Sequence, residues 1–439
     1  MKLEIEKWEG EAGFQQYLSF LQESHRHLEL SVTHVLRKNF TSLLSMARPS
    51  FLRHILKLHP FESVYGRASR YFKSERLRRV FTFATMYIGL SPYDAPGIYS
   101  LLQYSELAEG IWYPRGGFHR IIEGLVAVGE RLGVKYRLNA PINRVMVDEH
   151  SNRATGVILS SGEQLKADVV VINADLVYAT NHLLPSTPRA ERLSKQPASC
   201  SSISFYWALS REIPELQAHN VFLADEYRES FDAIFKRQDM PEQPSFYVNV
   251  PSRVDETASP AGTDAVVVLV PVGHLGGGTT SKKDWHKMGE TARECVISTL
   301  EARTGVTGLR DAIIKEIVNT PETWKTHFNL DRGAILGLSH GFFNVLSFRP
   351  STSNPDVGAC YFVGSSTHPG AGMPICLAGS KLTVNQILED WSMEKPWAEK
   401  GTPPGSALSA NALVPLGLLL GILCMLVSVG LAIKIEGFR

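Results

Sequence analysis

Apolar residues recur every three to four positions through much of residues 1–108, and that spacing predicts helices. FQQYLSFLQESHRHLEL places Phe14, Tyr17, Leu18 and Leu21 at helical spacing, and RLRRVFTFATMYIGL reads as another helix that ends before SPYDAPG. There Ser91-Pro92 and Ala95-Pro96-Gly97 interrupt the period. Pro114 and Gly116-Gly117 form a tight connection into a helix whose stripe is Phe118, Ile121, Ile122, Leu125 and Val126. Beyond Gly133 the period falls to two. KYRL, INRVMV and ATGVIL read as short strands separated by polar turns, and Ser161-Gly162 closes a hairpin before ADVVVINAD. The run of apolar residues after Asp168, in the strand expected at 168–172, predicts burial on both faces.

From 176 to 350 the strands carry aromatics: SSISFYWALS, PSFYVNVP, AVVVLVPVG and AILGLSHGF. Ile203, Phe205 and Trp207 alternate as one enclosed face would require. The rings Phe205, Tyr206, Trp207, Phe246 and Tyr247 are either sheet core or the cover of an apolar ligand. DEYRESFDAIF reads as a helix, and the stretches 251–263 and 349–358 as loops. A polar, Pro/Gly-containing linker occupies 393–411. It leads into ALVPLGLLLGILCMLVSVGLAI, residues 412–433, which carry no charge. As a helix these would extend about 33 Å against a hydrocarbon core of about 30 Å, so a transmembrane helix is expected.

Composition narrows the function. The 439 residues call for more than one packed region, and 45 Lys/Arg against 44 Asp/Glu leave no global field to attract nucleic acid. Residues 1–82 are locally basic, which suits either a solvated helical face or an anionic lipid surface. Five scattered cysteines fit neither a disulfide framework nor a structural zinc site. MKLEIEKWEGE lacks the apolar core of a secretory signal, so a cytosol-facing body is expected. HExxH and Walker patterns are missing from the sequence, and no metal site is expected.

The stretch with most chemical content is YFVGSSTHPGAGMPICLAGSKLTVNQILEDW, residues 361–391. A short strand runs into Gly364 and a glycine-rich turn, then into a helix near Met373-Pro374. Gly370 and Gly372 let the backbone approach a flat or phosphorylated ligand more closely than a β-carbon permits. Exposed amides of Ala371–Met373 at the helix start can donate to negative charge on such a ring. A sharp structural turn would have the same sequence. His368 is a candidate ring-positioning donor or general base, or a residue that fixes the loop. Asn173 and Asp175 follow the 168–172 strand, at the strand end where cofactors bind, and Asp175 equally suits a helix cap. Glu109, Arg115 and His119 are candidates for a pocket mouth or ordinary surface work.

Together SPYDAPGIYSLLQYSELAEGIWYPRGGFHRI, VVVINADLVYA and THPGAGMPICLAGSKLT resemble the carotenoid phytoene desaturases of fungi and bacteria, within the flavin-dependent desaturase and amine-oxidase-like superfamily. The resemblance covers nearly all of 1–392. It implies an α/β chain with an incomplete amine-oxidase-like FAD-binding fold, a mixed-sheet substrate domain, a helical region and the C-terminal transmembrane helix. The helical, membrane-facing region would be 1–108, FAD-domain portions 109–175 and 351–392, and the substrate domain 176–350.

On the same resemblance Ile142 faces adenine and Gly364, Gly372 and Met373 lie near the flavin, and Gly370, Ala371 and Asn173 are FAD-binding candidates from the local pattern already described. His368 and Glu109 stand as test residues for catalysis. The implied reaction is FAD-dependent desaturation of phytoene through carotene intermediates to neurosporene or lycopene, at an endoplasmic-reticulum or other intracellular membrane, with a quinone or oxygen as final electron acceptor. One departure matters: the family's opening strand–GxGxxG–helix unit has no counterpart in residues 1–439. A noncatalytic membrane-associated remnant or interaction protein is therefore a second reading, and an amine-oxidase-like flavoenzyme a third.

Overall fold

The computed structural model describes residues 1–276 and 284–397, so the expected membrane segment 412–433 and most of the linker lie outside the described residues. Among the described residues no helix is long and apolar enough to cross a membrane.

A long helix, Lys2–Ser31, opens the chain and bends at Gly10, whose φ of 70° leaves the helical region. Its buried stripe runs through Ile5, Gly13, Tyr17, Phe20, Ser24, His27 and Ser31. Leu18, expected on that stripe, is exposed, because the face is set by packing against Phe72, Leu77 and Phe81. The 76–90 run is divided into a helix, Glu75–Val80, and a 3₁₀ segment, Phe83–Ile88.

The helix His119–Arg131 follows the Pro114–Gly117 turn as expected. Its apolar stripe is not covered: Ile122 and Leu125 are exposed, as is Val128 beside them, and the helix buries no residue. β1 (Ile142–Asp148), β2 (Arg153–Leu159) and β3 (Gln164–Lys166) form the expected antiparallel meander. KYRL is not a strand and runs as irregular chain before it. β4 (Val170–Ile172) pairs parallel with a strand near the far end of the chain, Cys360–Phe362, which brings 109–175 and 351–392 together. β4 is not enclosed on both faces, since Val171 stands 47% exposed. A two-stranded parallel sheet with one open face is far from the fully covered parallel sheet that consecutive apolar residues predict.

The remaining strands, β5 (Ser201–Leu209), β6 (His219–Phe222), β7 (Phe246–Asn249), β8 (Ala265–Val272) and β9 (Ile313–Asn319), make one sheet in the order β6-β7-β8-β5-β9. Every pairing in it is antiparallel, so the expectation of a mixed sheet is corrected. Antiparallel sheets can leave one face open while the other is buried, and this one does. Ile203, Phe205, Trp207, Phe246, Val248, Val266, Val268 and Val270 pack beneath the helix Trp285–Thr304, against Ala292, Val296 and Leu300. AILGLSHGF adds no strand; it is irregular, with one isolated bridge, Ala198 to Leu338, and backbone hydrogen bonds to the 197–200 segment.

Candidate functional site

β4 and β10, the strand Cys360–Phe362, run side by side and release the chain at the same end. Asn173 follows β4 and Gly364 follows β10; a β-carbon on Gly364 would lie 2.9 Å from Asn173 Oδ1, and φ of 127° there suits glycine. The turn Gly364–Gly372 then leads into the helix Met373–Asp390. Thr383 Oγ1 donates to Phe362 O at 3.1 Å and Tyr361 Oη to Asp390 Oδ2 at 2.9 Å, which clamp that helix across β10.

The turn has a buried back and an open front. Ser366, Thr367, His368, Gly370 and Ala371 are buried, whereas Gly372, Met373 and Pro374 are exposed. No side chain caps the helix start. Uncapped amides at a helix N-terminus are orphan donors carrying partial positive charge, so this front can donate to the electron-rich edge of a flat ring. A β-carbon at Gly372 would meet nothing closer than Ile375 at 3.5 Å.

Two residues that the sequence did not single out hold the back. His340 is 4% exposed, and its Nε2 accepts the Ala371 N–H at 2.9 Å. A β-carbon on Gly370 would sit 2.6 Å from the same nitrogen, which explains the glycine there. Burial, with Arg349 close by, holds the His340 imidazole well below its ordinary pKa, so it is neutral and free to accept. Arg349 is 2% exposed. Its Nε donates to Thr367 O at 3.1 Å, Nη1 to Ser339 O at 3.0 Å and Asn344 O at 2.7 Å, and Nη2 to Leu338 O at 3.2 Å and to Ser365 O. Five carbonyls thus satisfy the guanidinium's donors without a carboxylate, and burial lowers its pKa to about 10. FRPSTSN reads locally as a loop, so nothing in the sequence marks Arg349 as buried.

His368 is 1% exposed, and its Nε2 donates to Lys38 O at 2.8 Å while its ring packs edge-on against Phe40. Burial depresses its pKa to about 4. The expectation of a general base is corrected: this side chain fixes the turn to the 38–40 segment and does not face the open front. Glu109 is fully on the surface. Three residues earlier, Glu106 is half-buried, and burial raises its pKa. Arg115 and His119 are exposed, and Asp175 caps the following turn by accepting from Tyr178 N at 2.9 Å. Ile142 begins β1 at the surface, and no described contact joins it to the turn.

The five candidate substrate rings divide by strand alternation. Phe205, Trp207 and Phe246 belong to the buried core and line no open space beside Tyr206 and Tyr247. Tyr206 is registered with Val267 and Ile317, and Tyr247 with Leu269 and Val221, so these six share the opposite, partly exposed face. Tyr87 meets Tyr247 ring to ring at 6.5 Å, and burial, with the Glu106 charge, raises the pKa of both phenols. This is an apolar floor with a sparse polar edge. Val267 and Leu269 escaped notice because β8 reads simply as an apolar strand, and Val221 and Ile317 because β6 and β9 were not read as strands.

Among the described residues, Glu23, His27 and His59 offer ligand atoms within 4.8 Å of one another. Arg67 is ion-paired to Glu23, and the His27 nitrogens are engaged by Ser100 Oγ at 2.9 Å and Lys57 O at 3.1 Å. The group is a packed polar network whose cation is the guanidinium.

Residues 7–203 match the flavin containing amine oxidoreductase family. Across the whole chain, the phytoene desaturase of Fusarium fujikuroi is 54% identical over 98% of this chain and 79% of that protein. The Neurospora crassa phytoene desaturase is 54% identical over 94% and 74%. The chain belongs to the phytoene desaturase family. A more distant member, the zeta-carotene-forming phytoene desaturase of Myxococcus xanthus, is 37% identical over 88% of this chain and 74% of its own length. Among solved structures, an oxidoreductase from Methanosarcina mazei aligns with a TM-score of 0.51 at 15% identity, covering 77% of this chain and 71% of that one. A fatty acid isomerase from P. acnes that produces CLA aligns at 0.50 and 13%, covering 87% and 76%. These likenesses show the amine-oxidase-like α/β fold. The family implies a flavin cofactor.

Proposed function

We propose that this protein is an FAD-dependent phytoene desaturase of carotenoid biosynthesis, converting phytoene to more conjugated carotenes such as neurosporene or lycopene. The observation that carries the reading is 54% identity to a phytoene desaturase over 98% of the chain, together with a glycine turn that is open in front and braced behind. FAD, when bound, supplies two-electron acceptance, the chemistry that no side chain here provides. Asn173, Gly364 and Gly370–Met373 would hold it, with the helix-start amides favouring negative charge on the ring.

The protein's own contribution is placement. Tyr206, Tyr247, Val267 and Leu269 offer an apolar floor on which a long hydrocarbon excludes water and lies in a fixed direction. Glu106, Tyr87 and Tyr247 are the polar groups at that floor, and burial favours the neutral form of each. Substrate is drawn from lipid, the body faces the cytosol at an endoplasmic-reticulum or other intracellular membrane, and a quinone or oxygen serves as terminal acceptor.

The test is incubation of purified protein with phytoene and added FAD. Longer-wavelength carotene absorption together with protein-bound flavin supports the reading. Absence of both, or turnover of primary amines in place of phytoene, overturns it.

A further inference from the structure

We propose that Glu106 is the proton acceptor of the desaturation, taking the proton that must leave the carbon next to the oxidised one. The proposal rests on the reading above for the reaction itself; the place of the carboxyl beside the apolar floor is argued from the fold.

The stretch 97–109 joins the two halves of the site. It runs as a 3₁₀ turn, Gly97–Ser100, an α turn, Leu101–Tyr104, and a π turn, Ser105–Glu109, which ends at Gly110 with φ of 88°. Tyr99 Oη donates to His340 O at 3.3 Å, so this residue touches the brace behind the glycine turn. Leu102 packs with Tyr99 against Ile88 and Leu90. Glu106 stands one turn further along the same side, since positions three to four apart share a helical face. The steps from Tyr99 to Glu106 carry the chain about 10 Å along its axis, away from the back of the cradle. There Tyr87, the neighbour of Ile88, meets Tyr247 of the floor ring to ring.

Glu106 differs from the other acids of the helical region in having no structural task. Among the described residues its carboxyl makes no hydrogen bond and no ion pair, whereas Glu23, Glu62 and Glu75 are each held by an arginine. Its charge reaches the phenols of Tyr87 and Tyr247, yet Tyr247 Oη is already engaged with His219 Nδ1 at 2.6 Å. A half-buried carboxyl with no partner, beside an apolar floor, is a mark of binding or chemistry. Burial raises its pKa, which moves it toward the range where a base is both ionised and basic enough to take a proton.

Desaturation removes two hydrogens from neighbouring carbons. One C–H bond breaks with its electron pair leaving as hydride to the flavin. The electron pair of the second C–H bond becomes the new double bond, and that proton passes to a carboxylate oxygen of Glu106. The carboxyl is left neutral and returns its proton to water at the exposed end of the turn, 107–110. Positive charge that develops on the hydrocarbon between the two losses is stabilised by the same carboxylate.

The test uses the purified full chain and two probes of equal chain length. N,N-dimethylgeranylgeranylamine carries an ammonium in place of the charge on the reacting carbon, and geranylgeranyl methyl ether is its neutral counterpart. Calorimetry reads the binding of each without added flavin. The amine should bind at least about tenfold more tightly than the ether. Glu106→Gln should abolish that preference while keeping the ether affinity, which also reports that the variant is folded, and Glu109→Gln should keep both. A preference that survives Glu106→Gln overturns the proposal, as does equal binding of amine and ether by the parent; the reading above stands in either case. With phytoene and added FAD, Glu106→Gln should lower kcat at least about hundredfold with KM within about twofold of the parent, and Glu106→Asp should recover part of the loss. Parental kcat in the Gln variant overturns the proposal. Binding of neither probe removes the apolar floor and the reading above with it. A parent chain with the amine preference but no desaturation overturns the enzymatic reading and leaves Glu106 as an anion that faces the floor.

Discussion

Ala371 gives its backbone N–H to Nε2 of His340 across 2.9 Å, and this bond ties the glycine turn to a segment 31 residues away in sequence. The acceptor works only while the imidazole is neutral, a state that its burial enforces. Behind it, Arg349 gathers carbonyls from both segments. The cradle's shape therefore belongs to the loop 338–349 as much as to the glycines themselves.

Gly370→Ala should disturb that arrangement, because its β-carbon would stand 2.6 Å from His340 Nε2. Flavin retention after gel filtration should fall about tenfold or more, the equivalent of the ~1–3 kcal/mol cost of a strained backbone position. Gly162→Ala, which has positive φ but open space, is the control. Equal flavin loss in both variants would discount the His340 contact.

Arg349→Met leaves five carbonyls without their donor. A loss of at least about 3 kcal/mol in unfolding free energy is expected, given ~1–3 kcal/mol for each buried group left unpaired and partial relaxation. Urea denaturation followed by tryptophan fluorescence measures it. A change below about 1 kcal/mol would mean that water replaces the guanidinium without penalty.

Acid should weaken the fold. His27 and His368 titrate near 4 and His340 well below its ordinary value, whereas in the unfolded chain all three return to about 6.5. The unfolded state thus binds more protons below pH 6.5. Stability is full above that pH and declines toward pH 4, by up to about 1.4 kcal/mol per pH unit for each histidine. Melting temperatures at pH 7 and pH 5 test this, and His368→Gln should make the decline shallower.

Tyr206→Ala should raise the phytoene KM severalfold while changing stability by less than about 1 kcal/mol, since its ring stands on the open sheet face. Phe205→Ala, one residue earlier, should cost about 3–5 kcal/mol because that ring is fully buried. Kinetics and denaturation on the two variants separate substrate floor from core. Matching stability losses would argue against the assignment of faces.

Local sequence determined what local chemistry determines. The Pro114–Gly117 turn, the meander β1–β3, the alternation of Ile203, Phe205 and Trp207 and the strand–glycine turn–helix at 361–390 all follow from side-chain period and backbone freedom within a few residues. The similarity of HPGAGMP to flavin-dependent desaturases was legible for the same reason. Tertiary structure decided which of two faces is covered and which distant groups meet. Nothing near 168–172 reveals that Val171 is open, since that depends on what lies across the sheet. Nothing near 349 reveals an arginine surrounded by carbonyls, and nothing near 368 reveals that a histidine beside the cradle points away from it, toward Lys38 O. Burial and pairing are properties of the whole chain's packing, and a side chain's role changes with them while its letter in the sequence stays the same.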